Sequence, residues 1–302
     1  MPDAMHADLP WRWRCRENTL TLGSRPLVMG VLNVTPDSFS DGGRYESHDA
    51  AVARGLELAR AGADVVDIGG ESTRPGSAAV PEAEELRRVA PVVEKLSRAL
   101  AAQDWPGGVP LISVDTRKAV VAAAALEAGA AIVNDVSALR DDPRLLEVVR
   151  AAGAGVVLMH MRGTPLDMQR APHYEDVVGE VAAFLRERVA LLSAAGLDPE
   201  TMVVDPGVGF GKTLENNLQL LARLAAVRDA CERPVLIGVS RKMFLGRLTG
   251  RETGGRLAAS LAGAAYAVQR GASVVRVHDV AETVDVLRVF AALRAAEGMG
   301  AG

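Results

Sequence analysis

The sequence predicts an α/β fold in one domain, a (β/α)8 barrel preceded by a short N-terminal hairpin. Short apolar runs rich in β-branched residues alternate with long Ala/Leu/Arg-rich stretches from residue 27 almost to the end. Runs that are apolar on both faces suit a parallel sheet covered on both sides. Eight strand-then-helix units fit into about 270 residues, near the ~250 usual for such a barrel. No linker rich in Pro, Gly or Ser divides the chain. A doubly wound sheet is the competing arrangement, and a count of units does not exclude it.

Residues 1–26 read as a tail and hairpin. Residues 1–10 are expected to fray, and Arg12 to Arg25, turning at Gly23, to cover the bottom of the barrel. The barrel spans 27–297, and 298–302 fray again. Its strands are expected at Leu27–Leu32, Val65–Ile68, Leu111–Val114, Ala131–Val133, Val156–Met159, Met202–Val204, Val235–Val239 and Val274–Val277. Helical patterns fill the gaps at Ala50–Ala61, Pro81–Leu100, Ala119–Glu127, Pro143–Ala152, Tyr174–Ala195, Glu215–Arg228, Arg256–Arg270 and Ala281–Ala296. Pro81 and Pro143 stand at first helical positions, where a missing N–H costs nothing. Gly62, Gly129, Gly153, Gly196 and Gly271 follow helix ends as caps.

Composition removes several classes of function. With 34 Lys+Arg against 38 Asp+Glu the formal net charge is −4, too acidic for a broad nucleic-acid-binding face. Aromatics are only 4%, which leaves little for base stacking. No run of 18 apolar residues exists, so no membrane partner is expected, and the N-terminus lacks a signal-peptide core. The two cysteines, Cys15 and Cys231, stand far apart, which points to a reducing, cytoplasmic compartment.

Chemistry concentrates where the strands stop. The apolar runs end in Asn33, Gly69-Gly70-Glu71, Asp115, Asn134-Asp135, His160, Asp205, Ser240-Arg241-Lys242, and Arg276 with His278-Asp279. In a barrel those ends converge on one face, the face that carries catalysis. The loop from Asn33 to Gly43 is long and polar, as an active-site loop would be. In the next, Glu71 to Ser77, Arg74 beside hydroxyls suits an anionic group. Asp205 to Thr213 invites a nucleotide reading, but a P-loop needs a glycine where Pro206 stands; the glycines more readily let backbone approach a flat ligand held by Asp205. The histidines lack metal-site spacing. His48 and His173 read as surface residues and His160 as a packed one.

Taken together, Asn33–Gly43, Gly69–Gly76, Ser113–Arg117, Val133–Val136, Met159–Met161, Asp205–Lys212, Ser240–Lys242 and Arg276–Asp279 resemble the dihydropteroate synthase family, in order along nearly the whole chain. The resemblance implies a transferase of folate biosynthesis. It joins 6-hydroxymethyl-7,8-dihydropterin pyrophosphate to p-aminobenzoate by dissociative substitution, on a barrel that is commonly a homodimer packed through late helices. Carried over by motif, Asp115, Asn134, Asp205, Lys242 and Arg276 would bind the pterin. Asn33, Thr73, Arg74, Arg276 and His278 would bind pyrophosphate, with Asn33 as ligand to Mg²⁺. Thr73, Pro75, Phe210 and Ser240 would bind p-aminobenzoate. Asp41 and Phe39, with Lys242 and Arg276, would stand near the reacting methylene. A catalytically silent pterin-binding paralogue and a pterin-binding methyltransferase domain are the alternatives; a methyltransferase has no use for Arg74 or the Ser240-Arg241-Lys242 arrangement.

Overall fold

The computed structural model describes residues 11–23, 25–35, 44–73 and 76–299. A two-stranded antiparallel hairpin, β1 (Trp11–Cys15) and β2 (Asn18–Leu22), precedes eight parallel strands. These are β3 (Leu27–Asn33), β4 (Val65–Gly69), β5 (Leu111–Asp115), β6 (Ile132–Asp135), β7 (Gly155–Met159), β8 (Met202–Asp205), β9 (Leu236–Ile237) and β10 (Val274–Val277). Strands β3 to β8 are neighbours in sequence order, and β10 pairs with both β3 and β9. A parallel bridge from Val204 to Val235 joins the remaining edges, with the Val204 N–H donating to Pro234 C=O at 3.0 Å. The ring is thereby shut, which decides against the doubly wound sheet.

Ten helices occur among the described residues: α1 (Arg44–Arg60), α2 (Glu82–Ala101), α3 (Ala119–Glu127), α4 (Arg144–Ala152), α5 (Val177–Ala194), α6 (Leu214–Ala222), α7 (Leu224–Cys231), α8 (Met243–Thr249), α9 (Leu257–Gln269) and α10 (Val280–Met299). The single helix expected at Glu215–Arg228 is two. Leu220 and Leu221 before the break and Leu224 and Val227 after it are all buried. A bend at Arg223 turns both sets inward without any Gly or Pro to announce it. Helix α8, seven residues long, is too short to show a period and was not expected. The strand expected at Val235–Val239 shrinks to Leu236–Ile237, since Gly238 and the turn at Ser240 follow directly. Pro81 and Pro143 stand one position earlier than expected, as N-caps. Helix α10 runs to Met299, into the tail expected to fray.

The hairpin turns at Arg16–Glu17 rather than at Gly23, because Cys15 pairs with Asn18. Trp13, Cys15 and Leu22 pack on Leu27, Met29, Val65, Ile132 and Val274, at the starts of the barrel strands, so the hairpin plugs the bottom. Trp13 Nε1 donates to Thr201 C=O at 2.9 Å, which satisfies the indole in this dry layer. At Gly155 a Cβ would collide with Cys15 Sγ; glycine is what lets the plug seat. With the bottom filled, a ligand inside the barrel would enter by the opposite mouth.

Candidate active site

Register delivers the first part of the site. Asn33 pairs with Gly69, Gly69 with Asp115, and Asp115 with Asn134, so four adjacent strands end in one row. Residues two apart on a strand share a face, which puts Asp67 inside the barrel below Gly69. Asp67 is fully buried, and its Oδ2 accepts from Arg276 Nε at 2.6 Å and from Asn134 Nδ2 at 3.1 Å. Arg276 Nη2 also donates to Asp115 Oδ2 at 2.7 Å. One guanidinium from β10 thus ties β4 to β5, and one carboxylate ties β4 to β6.

Burial raises the Asp115 carboxyl to about 7, with Arg276 opposing and Asp67 and Glu85 adding to the rise. Burial would lower Arg276, but Asp67 and Asp115 raise it, so it stays charged.

The second part is a carboxylate and an amine across the barrel. Asp205 ends β8, and its Oδ1 accepts from the Gly207 N–H at 2.7 Å. Lys242 donates from Nζ to Val208 C=O and lies 4.6 Å from the centre of the Phe210 ring. Burial lowers Lys242 to about 8, against the pull of Asp205 and with a further push from Arg276. Asp205 itself is raised by burial, with Lys242 opposing. Asp205 is thus coupled electrostatically both to the Lys242 ammonium and to Arg276, which joins the two parts of the site.

The glycine segment is already committed to the protein. The N–H groups of Gly207, Gly209 and Phe210 bond to Asp205, to Asn217 Oδ1 at 2.7 Å and to Gly207 C=O at 3.0 Å. A phosphate-cradling loop would keep such donors for its ligand, so a nucleotide loop is ruled out here. Gly207 has φ +67°, and a Cβ there would collide with the His160 carbonyl. His160 is held neutral, lowered to about 2 by burial and by Lys212, and packs edge-on against Phe184 at 5.0 Å. Lys212 Nζ lies 3.1 Å from His160 Nδ1 and donates to Phe210 C=O at 3.0 Å, so the pair braces the loop that carries Phe210.

At the rim Ser240 and His278 are bonded to each other. The His278 N–H donates to Ser240 Oγ at 3.2 Å, and the same hydroxyl shares a hydrogen bond with His278 Nδ1, 3.0 Å away. Two positions expected to serve different substrates are hence one unit. Arg241 turns away to Asp279, with Nε 3.1 Å from Oδ2. Thr73 follows Glu71 on the loop after β4. Phe39, Asp41, Arg74 and Pro75 lie outside the described residues. Sequence reading missed Asp67, whose signal was a charged residue inside the apolar run Val65–Ile68. Reading only the residue after each run passes over it.

The pterin-binding enzyme family matches residues 29–278. The dihydropteroate synthase of Escherichia coli (strain K12) is 46% identical over 274 residues, 91% of this chain and 94% of that one. The chain belongs to the dihydropteroate synthase family. Within that family, the Xanthomonas albilineans enzyme solved with 4-aminobenzoic acid superposes with a TM-score of 0.86 at 51% identity, covering 95% of this chain and 99% of that one. The Burkholderia cenocepacia enzyme complexed with 7,8-dihydropteroate gives 0.85 at 44%, covering 97% and 99%.

Proposed function

We propose that this chain condenses 6-hydroxymethyl-7,8-dihydropterin pyrophosphate with p-aminobenzoate to give 7,8-dihydropteroate and pyrophosphate. The observation that carries the reading is the pairing of buried carboxylates with half-buried cations in one mouth: Asp67, Asp115 and Arg276 on one side, Asp205 and Lys242 on the other. A pterin edge presents adjacent N–H donors and a ring carbonyl. Asp205, Asp115 and the Asn134 oxygen accept from the donors, and Lys242 donates to the carbonyl. Such a slot rejects analogues that leave its groups unpaired. Arg276 lies over the ring and meets the departing phosphate.

The bond from the exocyclic methylene to the diphosphate oxygen breaks first, and ring nitrogen donation spreads the cation. The arylamine nitrogen then forms the new C–N bond, and the resulting anilinium passes its proton to the released pyrophosphate or to water. Because the amine attacks neutral, no strong base is needed; the protein's part is electrostatic. His278, oriented by Ser240, and Asn33, Thr73 and Arg74 serve the leaving group. Phe210, Thr73, Pro75 and Ser240 wall the arylamine, and Phe39 and Asp41 stand by the methylene.

Among the described residues no group of three His, Cys, Asp or Glu could hold a metal ion. A lone Asn33 carbonyl oxygen fits Mg²⁺ that arrives with the diphosphate and keeps its waters. Bound so, the ion would neutralise charge on the leaving group.

The test is pyrophosphate release from purified protein given both substrates and Mg²⁺. Release that requires both, and that falls at least about tenfold with chelator, is expected. No release would overturn the synthase reading in favour of a silent pterin binder or a methyltransferase. Release undiminished by chelator would overturn the Mg²⁺ assignment.

A cytoplasmic homodimer completes the proposal. Both cysteines are buried and unpaired, as suits a reducing compartment. Leu218, Leu248 and Tyr266 expose 40%, 53% and 37% of their surface around an apolar groove of about 480 Å³ between α6, α8 and α9, which a second copy would cover. Sedimentation equilibrium should give twice the 31.7 kDa chain mass, and Leu248→Glu should return it to the monomer. A wild-type monomer at micromolar concentration would end this part.

A further inference from the structure

Glu71, at the end of the strand that carries Asp67, closes the following loop on itself. Its Oε2 accepts from the Val80 N–H at 3.0 Å, so the chain leaves at 71 and returns to the same carboxylate at 80. Lys118 Nζ bonds the same pair from the other side, donating to Glu71 Oε2 at 2.5 Å and to Val80 C=O at 2.6 Å. Its third proton goes to Glu85 on α2, which is 1% exposed and also accepts from Thr116 Oγ1 at 2.6 Å. Arg117 Nη2 adds a bond to Glu71 Oε1 at 3.0 Å. Burial disfavours the Glu71 charge, but Lys118, the Val80 N–H and Arg117 together hold its pKa below the ordinary value.

Gly70 is what allows the cluster to form. A Cβ there would stand 2.7 Å from Val89 and 3.1 Å from the Glu85 side chain, so α2 could not settle against the loop base. The residues that complete the cluster, Thr116 to Lys118, directly follow Asp115. No step of the mechanism uses Glu71, Lys118 or Glu85, and polar groups this buried are costly unless fully bonded.

We infer that Glu71 and Lys118 are positioning residues: they clasp the 71–80 segment to the end of β5 and so fix Thr73 relative to Asp115. This rests on the reading that Thr73 lines the arylamine pocket and Asp115 the pterin slot. Two substrates must meet with reacting atoms about 3–3.5 Å apart, so the two pockets need a common rigid base.

Glu71→Ala in the full chain removes the Glu71 half of the clasp and frees the Val80 N–H, while Lys118 keeps Glu85 and the Val80 carbonyl, stranding no buried ammonium. At saturating pterin substrate the KM for p-aminobenzoate should rise about tenfold or more. By calorimetry the affinity for the free pterin, which lacks the diphosphate that Thr73 also serves, should stay within about twofold. Amide exchange at Val80 should accelerate. Glu71→Gln keeps an acceptor for the Val80 N–H and should restore the exchange protection and part of the KM. Equal loss of free pterin affinity in Glu71→Ala, an unchanged KM, or unchanged exchange at Val80 would each overturn the clasp. Failure of the functional reading looks different: the wild-type chain itself would then turn over neither substrate.

Discussion

Arg276→Met is expected to lower the melting temperature by about 6–20 °C and to abolish measurable turnover. Arg276 is the common partner of two buried carboxylates, bonded to Asp67 at 2.6 Å and to Asp115 at 2.7 Å. Methionine fills similar volume without charge. Breaking a buried pair from one side costs about 3–5 kcal/mol, because the remaining charge has lost its compensation. For a chain of this size that is roughly 2–4 °C per kcal/mol.

The loss should depend on pH, and the sign follows from the direction of the Asp115 shift. Asp115 is already raised to about 7 by burial despite Arg276, and without the guanidinium it rises further. An acid raised above its unfolded value stabilises the fold while protonated and loses that contribution as pH climbs through the folded value. The deficit of Arg276→Met should therefore be smaller near about pH 5 and larger near about pH 8. Adding Asp67→Asn should recover part of the stability by removing one stranded charge. Thermal unfolding of the single and double variants across this range checks the account; a deficit that shrinks with rising pH would refute it.

What could be read from the sequence follows from what each part of the fold requires locally. Asp115, Asn134 and Asp205 were legible because each ends an apolar run, and a barrel gathers such ends by topology alone. Gly153 and its counterparts were legible because a helix stop needs left-handed backbone, which glycine adopts without strain. Asp67 was not, since its role depends on Arg276, some two hundred residues away, crossing the barrel to meet it. The Ser240–His278 bond is of the same kind: separate motifs, one hydrogen-bonded unit. The break at Arg223 and the two-residue strand β9 were hidden for a related reason. Packing against the core decides the break at Arg223, which carries no local breaker; β9 is cut short by Gly238, a single glycine that an apolar run on both sides obscures.

Replacing Asp205 with Asn should weaken pterin binding by about 10²–10⁴-fold while leaving the fold almost unchanged. Size is conserved, so the effect comes from the reversal of one donor and acceptor pair. Asp205 Oδ1 accepts from the Gly207 N–H at 2.7 Å, and Gly207 cannot move because the His160 carbonyl abuts it. In the variant the amide oxygen must stay on Gly207, which turns the NH2 toward the ligand. Donor then faces donor at the pterin edge. The loss combines a charge-assisted bond, about 1.5–3 kcal/mol, with desolvation of ring N–H groups left unpaired. Lys242 also loses the carboxylate that opposes its deprotonation. Already lowered to about 8 by burial, it drops further and gives the ring carbonyl a neutral donor. Stability should hold, since removing one partly compensated buried charge costs little when its lysine can shed a proton. Calorimetry with the free pterin measures the affinity, and thermal unfolding measures the fold. An unchanged dissociation constant in a folded variant would mean that the pterin does not lie against Asp205.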